Sequence, residues 1–219
     1  GWYTLSLHDA LPILIRSGVA ADRILAVTFT NKAAKEMRER ALQLLGKGSG
    51  RRGGKEVPQP EICTFHAWCV RVLRRHITLL GYPAQFTIYD RDDQESVARA
   101  ALREVRIGAE LLRPGDLLNY VGNWKNQGLG PQEALDVALD DKAYLAASVY
   151  SKYQSSLKAK GAVDFDDLLL LTNRLFEEHP EARYAESSRY EHLLIDEYQD
   201  TNGLQYRVAV ALARPHRNF

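Results

Sequence analysis

The chain of 219 residues is long enough for one large domain or two modest ones with a packed core. It is 45% hydrophobic and 26% charged, as globular proteins are, and no apolar run approaches membrane-spanning length, so no membrane partner is expected. The net charge of +1 hides an asymmetry: residues 1–75 carry 13 Lys/Arg against 6 Asp/Glu, and residues 131–219 carry 10 against 15. The basic part suggests a polyanionic partner, and the acidic part fits a metal or a structural role.

Two short features of the sequence do not contribute to the predicted fold. YTLSLHDALPI (3–13) resembles the in-frame translation of a sequencing-library adapter, so residues 1–13 are excluded as a non-native segment and the natural sequence is expected to begin near Leu14. The two cysteines, Cys63 and Cys69, lack metal-ligand spacing. They are expected to be buried thiols of a cytoplasmic, bacterial protein.

The first clear element is the apolar run ILAVTF (24–29), which predicts a buried parallel strand. Thr30 and Asn31 follow as good N-caps, and the helix they introduce is expected to end at Gly46. The predicted apolar face of this helix repeats every four residues: Ala33, Met37, Ala41 and Leu45.

A basic loop rich in Gly and Pro occupies residues 47–60. It contains GGK, but Glu56 stands where a phosphate-binding loop needs Ser or Thr, and Ser49 stands where it needs Gly. The loop is therefore not interpreted as a nucleotide site.

Residues 61–76 repeat the design, with a short strand, a polar break at Thr64–His66 and a helix. Two consecutive strand–turn–helix units predict an α/β domain. Helical patterns then dominate residues 89–185, without a clear strand signal before the run HLLIDE (192–197). We therefore predict a discontinuous α/β domain of residues 14–88 and 186–219, interrupted by a helical subdomain of residues 89–185.

Asp196 and Glu197 close this last apolar strand. In open α/β sheets, ligands bind beyond the carboxyl ends of the strands. An Asp at that point can hold Mg²⁺ through water, and an adjacent Glu can orient or deprotonate an attacking water. The alternative is that Asp196, Glu197 and Asp200 merely decorate a strand-to-helix turn.

Several motifs carry a family resemblance. LLIDEYQDTNGLQY (193–206) resembles motif II, the Walker B element, of UvrD/Rep-type superfamily 1 DNA helicases. AVTFTNKAAKEM (26–37) is similar to their motif Ia, and TFHAWCVRVLR (64–74) to the next motif that contacts single-stranded DNA. VDFDDLLLL (163–171) and the weaker WKNQGL (124–129) match as well. The resemblance implies a partial RecA-like (P-loop NTPase) parallel-sheet domain with an inserted all-helical subdomain. It also implies ATP and Mg²⁺ as ligands, and 3′→5′ movement on single-stranded DNA or DNA junctions in repair or replication.

The resemblance also implies individual roles. Asp196 would bind Mg²⁺, Glu197 would be the catalytic base for ATP hydrolysis, and Gln199 and Asp200 would couple the nucleotide site to its surroundings. Alternatives stay open for three residues of the DNA path: Phe29 as core, Asn31 as only an N-cap, and His66 as a structural histidine. The implied single-stranded-DNA contacts are Phe29, Thr30, Asn31, Lys32, Thr64, Phe65 and His66.

VDFDDLLLL (163–171) contains three acidic residues that could indicate a metal site: Asp164, Asp166 and Asp167. A helix N-cap with carboxylates in the first turn explains them better.

No GxxxxGK[ST] motif occurs in the 219 residues, and the family's motif III and second motor domain are not found either. Phosphoryl transfer depends on positioning and charge neutralisation, so the chain is expected to be a catalytically inactive fragment of an ATP-dependent DNA helicase. Two alternatives remain: a non-catalytic module that binds single-stranded DNA, and a fragment of an AddA/RecB-type helicase–nuclease.

Overall fold

The computed structural model describes residues 7–44 and 58–214. The predicted loop, with its GGK sequence, and the expected helix end at Gly46 lie outside these residues. In chain order, the helices and strands are α1 (Leu7–Arg16), β1 (Ile24–Thr28), α2 (Asn31–Leu44), β2 (Glu61–Thr64), α3 (Phe65–His76), β3 (Thr87–Ile88), α4 (Arg91–Val105), α5 (Pro114–Gln127), α6 (Pro131–Asp136), α7 (Asp141–Ala159), β4 (Ala162–Val163), α8 (Phe165–Glu178), α9 (Pro180–Ser187), β5 (His192–Ile195) and α10 (Gly203–Ala213).

The chain forms two compact units. The first is built from residues 1–68, 180–201 and 209–219, and the second from residues 69–179 and 202–208. The first unit contains the parallel sheet and is discontinuous, as predicted, so the α/β fold class is confirmed. The boundaries predicted at residues 88 and 185 stay a prediction. In the structure, residues 69–88 group with the helical unit.

A three-stranded parallel sheet with the order β2-β1-β5 forms the centre of the first unit. Every residue of β1 is buried, which explains its uninterrupted apolar sequence up to Thr28. Val27 is in register with Cys63 of β2 on one side and with Ile195 of β5 on the other. All three predicted strands of this sheet are therefore confirmed.

Helix α2 begins where the sequence predicts, with Thr30 as its cap. The Thr30 hydroxyl accepts a hydrogen bond from the amide N–H of Ala33 at 3.1 Å. The buried face of the helix is formed by Ala34, Met37 and Ala41, whereas Ala33 is only half-buried. The predicted four-residue repeat is therefore wrong at its first position, because an apolar stripe alternates spacings of three and four.

Helix α1 includes seven of the residues that the sequence interpretation excludes, from Leu7 to Ile13. Leu11 is buried in a cluster with Ile24, Ala26 and Met37, so this segment packs on the α/β core. The non-native origin of residues 1–13 stays a prediction.

The second unit is a helical cluster whose core is formed by α4, α5 and α7. A short parallel ladder, in which Thr87 of β3 pairs with Ala162 of β4, joins two distant parts of this unit. The prediction of a segment without strands before residue 192 is therefore wrong at residues 162–163. Among the residues described, no helix combines the length and apolar content needed to cross a membrane.

Candidate functional site

The carboxyl ends of the three parallel strands lie along one edge of the sheet. Thr28 at the end of β1 is in register with Thr64 at the end of β2. On the other side, the amide N–H of Asp196 donates a hydrogen bond to the carbonyl oxygen of Val27 at 3.0 Å, which extends the β1–β5 ladder by one residue. The acidic pair therefore shares a sheet edge with the turn at Phe29 and with the start of α3 at Phe65.

The acidic loop leaves β5 through a strained residue. Glu197 has φ 46° and ψ 47°, in the left-handed region, and a 3₁₀ turn over Tyr198–Asp200 follows. The amide N–H of Asp200 donates to the Glu197 carbonyl oxygen at 2.8 Å and closes this turn. A non-glycine residue in this conformation costs about 1–2 kcal/mol, and such strain concentrates at functional sites.

The carboxylates of Asp196 and Glu197 lack protein partners among the described residues. Asp196 is half-buried and Glu197 is exposed. Within residues 7–44 and 58–214, neither side chain makes a hydrogen bond or an ion pair. Their oxygens are therefore open to a ligand. Gln199 and Asp200 are exposed, and their coupling role stays a prediction.

This donor set fits Mg²⁺ better than a metal held entirely by protein. The described part of the chain contains no group of three or more His, Cys, Asp or Glu side chains placed to hold a metal ion. Magnesium in nucleotide sites keeps several waters and takes only one or two carboxylates together with phosphate oxygens. A single half-buried Asp196 at the end of a strand satisfies that requirement.

Two aromatic residues of the predicted DNA path touch each other. The rings of Phe29 and Phe65 are tilted by 60° with centroids 5.9 Å apart. Phe65 is 3% exposed, whereas Phe29 is half-buried and keeps part of its surface open. Phe65 supports Phe29 in this arrangement, and the predicted DNA contacts of both residues stay predictions.

The polar residues after Phe29 divide between capping and exposure. Because Thr30 caps α2, the first helical residue, Asn31, is not needed as a cap. Asn31 and Lys32 are both exposed, and Lys32 pairs only loosely with Glu36, at 4.0 Å. The interpretation of Asn31 as only an N-cap is therefore wrong.

The strand β2 passes directly into α3 without the predicted polar break. Thr64 ends the strand, and its hydroxyl caps α3 by accepting a hydrogen bond from the amide N–H of Ala67 at 3.2 Å. Burial lowers the pKa of His66 to about 4, so this imidazole is neutral at pH 7. His66 can therefore offer a hydrogen bond but not a positive charge.

Helices α2 and α3 both begin at this edge of the sheet. The first turns of a helix carry unpaired N–H groups and a partial positive charge, which favour phosphate. The edge thus combines carboxylates open to a metal with helix N-termini suited to an anion.

The second acidic motif has a different outcome, in the helical unit. Asp164 and Asp167 form a reciprocal capping box at the start of α8, which confirms the N-cap interpretation over the metal site. The ammonium group of Lys125 lies 2.6 Å from Asp164 Oδ2 and 2.8 Å from Asp167 Oδ1. Tyr153 also donates to Asp164, at 3.0 Å.

Lys125 was missed by the sequence interpretation. It is fully buried, as is Asp167. Burial alone would lower the pKa of Lys125, but the charges of Asp164 and Asp167 raise it well above its usual value. Burial, together with the charge of Asp164, raises the pKa of Asp167 to about 6. Burial is thus the main cause of the raised pKa of Asp167, whereas the raised pKa of Lys125 comes from the two carboxylates that face it. The signal for this cluster was a lysine within the apolar stripe of α5, four residues after Val121.

Comparison with known proteins agrees with this arrangement. Residues 4–219 match the family described as UvrD/REP helicase N-terminal domain. The chain is 37% identical over 215 residues to "ATP-dependent DNA helicase PcrA" of Staphylococcus aureus (strain Mu50 / ATCC 700699). It is also 37% identical over 212 residues to the protein of the same name from Staphylococcus epidermidis (strain ATCC 12228 / FDA PCI 1200). Each match covers 97% of this chain and 28% of the relative. The chain therefore belongs to the UvrD/REP helicase N-terminal domain family.

Proposed function

We propose that this chain is the part of the first motor domain of an ATP-dependent DNA helicase that coordinates magnesium and contacts single-stranded DNA. The observation that carries the proposal is the hydrogen bond from Asp196 N–H to the Val27 carbonyl oxygen. Val27 lies in β1, two residues before Phe29, so this bond holds the start of the acidic loop beside the Phe29 turn. Relatives named ATP-dependent DNA helicase support the activity of the whole protein. The staphylococcal source of these relatives supports a bacterial origin, and an activity on bacterial DNA would place the protein in the cytoplasm.

In the proposed nucleotide chemistry, Asp196 would hold Mg²⁺ and Glu197 would accept a proton from the attacking water. Bound magnesium neutralises charge on the phosphates. The strained backbone at Glu197 turns the chain sharply after Asp196, so two adjacent carboxylates can serve two tasks. Gln199 and Asp200, in the following 3₁₀ turn, couple this loop to its surroundings.

The proposed DNA contacts require no reading of sequence. Phe29, supported by the ring of Phe65, presents an aromatic surface to a base, and the exposed Asn31 and Lys32 contact the backbone. Thr64 and His66 add hydrogen-bonding groups, and the N-termini of α2 and α3 favour phosphate.

We also propose that the chain alone does not hydrolyse ATP. The 219 residues contain no GxxxxGK[ST] motif, so the amides and lysine that cradle β- and γ-phosphates have no counterpart among them. DNA-stimulated ATP turnover by the purified chain would contradict this part of the proposal.

Two lysines of α2 allow a controlled test of the DNA path. Lys32 and Lys35 are both exposed, and each lies 4.0 Å from a glutamate four residues later. Only Lys32 lies in the first turn, at the sheet edge. We expect K32A to weaken binding of a fluorescent oligo-dT by several-fold and to reduce the slope of log K against log salt by about one, while K35A changes both little.

Fluorescence anisotropy at several salt concentrations measures both quantities. Equal effects of K32A and K35A would contradict a DNA path at the sheet edge and would indicate diffuse attraction to a basic surface. Binding without any dependence on nucleotide would favour the non-catalytic DNA-binding module for this chain.

A further inference from the structure

The two motifs without an assigned role, WKNQGL and VDFDDLLLL, are partners in the helical unit. Lys125 pairs with Asp164 and Asp167, and the Asn126 side chain donates to Asp166 Oδ1 at 3.2 Å. One motif thus fixes the last turn of α5, and the other fixes the first turn of α8. The carboxylates of this motif are occupied by these contacts.

The end of α5 holds a third segment. Arg207 of α10 donates from Nη2 to the carbonyl oxygen of Gln127 at 2.8 Å. The last carbonyls of a helix lack intrahelical partners and carry partial negative charge, so a guanidinium is well suited there.

Gly128 makes this contact possible. It ends α5 in the left-handed conformation, with φ 83°, which favours glycine. A Cβ atom at this position would lie 1.9 Å from Nη2 of Arg207. Any other residue would therefore strain the backbone and force the guanidinium, at the flexible end of Arg207, to move from its present position.

The start of α10 is also held locally. Asn202 and Gln205 cap each other: the Gln205 amide N–H donates to Asn202 Oδ1 at 2.8 Å, and the Asn202 amide N–H donates to Gln205 Oε1 at 3.0 Å. Leu204, between them, is fully buried. Asp200, the last acidic residue of the loop, stands only two residues before Asn202 in the chain.

We propose that Arg207 and Gly128 form a lock that fixes the first turns of α10 and thereby limits the motion of the acidic loop covalently joined to it. Arg207 is then a positioning residue, and the glycine of WKNQGL is there to admit it. The significance of the lock for nucleotide chemistry rests on the proposed function of Asp196 and Glu197, but its existence does not.

Amide hydrogen exchange on the 219-residue chain tests the lock without DNA or nucleotide. Four hydrogen-bonded amides report on the loop and the start of α10: Asp200, Thr201, Gln205 and Tyr206. The amide of Ala143, bonded to Asp140 Oδ1 at 2.7 Å, is the internal reference for the helical unit. We expect R207A to accelerate exchange at the four amides by about tenfold and to leave Ala143 unchanged.

Three further variants separate positioning from general stabilisation. R207K keeps a cationic donor and should restore most of the protection, whereas R207M keeps only an apolar side chain and should not. G128A should accelerate exchange at the same four amides. R99A removes an exposed arginine of α4 and should change none of them.

Equal exchange in R207A and R99A would overturn the proposal, as would a uniform acceleration that includes Ala143. Failure of K32A to affect DNA binding would count against the proposed function and would leave this result untouched, since no DNA is present in the exchange experiment.

Discussion

Two segments of the chain share a local sequence pattern but differ in whether their carboxylates have partners. In each, a short strand passes into acidic residues: β4 into Asp164, Asp166 and Asp167, and β5 into Asp196 and Glu197. The first set is capped, paired and bonded to Lys125 and Asn126, whereas the second lacks protein partners among the described residues. The comparison shows that the same sequence pattern, carboxylates directly after a strand, can give either a set of paired side chains or a set whose oxygens stay open to a ligand.

The largest effect is expected when Lys125, the cation that pairs with Asp164 and Asp167, is removed. K125M leaves two buried carboxylates without their ammonium partner, and breaking a buried pair in this way costs about 3–5 kcal/mol. Urea unfolding followed by circular dichroism should show this loss in the free energy of unfolding.

The matched control is K142A, which removes an exposed lysine that lies 2.8 Å from Asp116. Its effect should be small, because solvent screens exposed pairs. If K125M and K142A unfold alike, the buried cluster does not stabilise the helical unit and the contrast between the two acidic segments fails.

Acidification should change the free energy of unfolding in opposite directions through His66 and Asp167. The pKa of His66 is lowered to about 4 in the folded chain. Its contribution to the free energy of unfolding is therefore complete above pH 6.5 and is lost as the pH falls toward 4. From pH 7 to pH 5 this loss amounts to about 2 kcal/mol. The pKa of Asp167 is raised to about 6, so this group opposes the trend and adds stability as the pH falls through 6 toward 4.

Unfolding free energies of H66Q and D167N at pH 7 and pH 5 measure the two contributions. H66Q should lose less stability than the parent chain on acidification, and D167N should lose more. The same pH response in both variants would contradict the opposite assignment of the two groups.

The smallest effect is expected from a change in the backbone conformation at Glu197, in the acidic loop after β5. E197G removes the strain of a left-handed non-glycine residue and should stabilise the chain by about 0.5–1 kcal/mol. E197A removes the same carboxylate but keeps a Cβ atom, so it should bring no such gain. If E197A stabilises the chain as much as E197G in urea unfolding, relief of charge rather than of strain is responsible.

Periodicity and capping residues were sufficient to predict the sheet strands and the start of α2. The run from Ile24 to Val27 is wholly apolar, and both residues that the sequence offered as N-caps, Thr30 and Asn31, mark the start of the helix to within one position. The ladder at Ala162–Val163 was missed because two residues carry no periodic signal and depend on a partner 75 positions away in sequence, Thr87–Ile88.

For the two acidic segments, the sequence predicted which residues follow the strands but not which of them have partners. Lys125 and Asp164 are 39 positions apart, so their contact depends on how α5 and α8 pack. The conformation of Glu197 was also beyond local patterns, because αL at a glutamate contradicts its own propensity and requires the surrounding fold to impose it.

The central position of β1 has a consequence for synthesis on the ribosome. β1 and β2 can pair once residue 64 has emerged, but the other side of β1 must wait for β5 at residues 192–195. During that interval the helical unit is translated, and the apolar edge of β1 stays without its second neighbour. The nascent chain therefore carries an unpaired strand edge, of the kind that favours aggregation, for more than 120 residues of elongation.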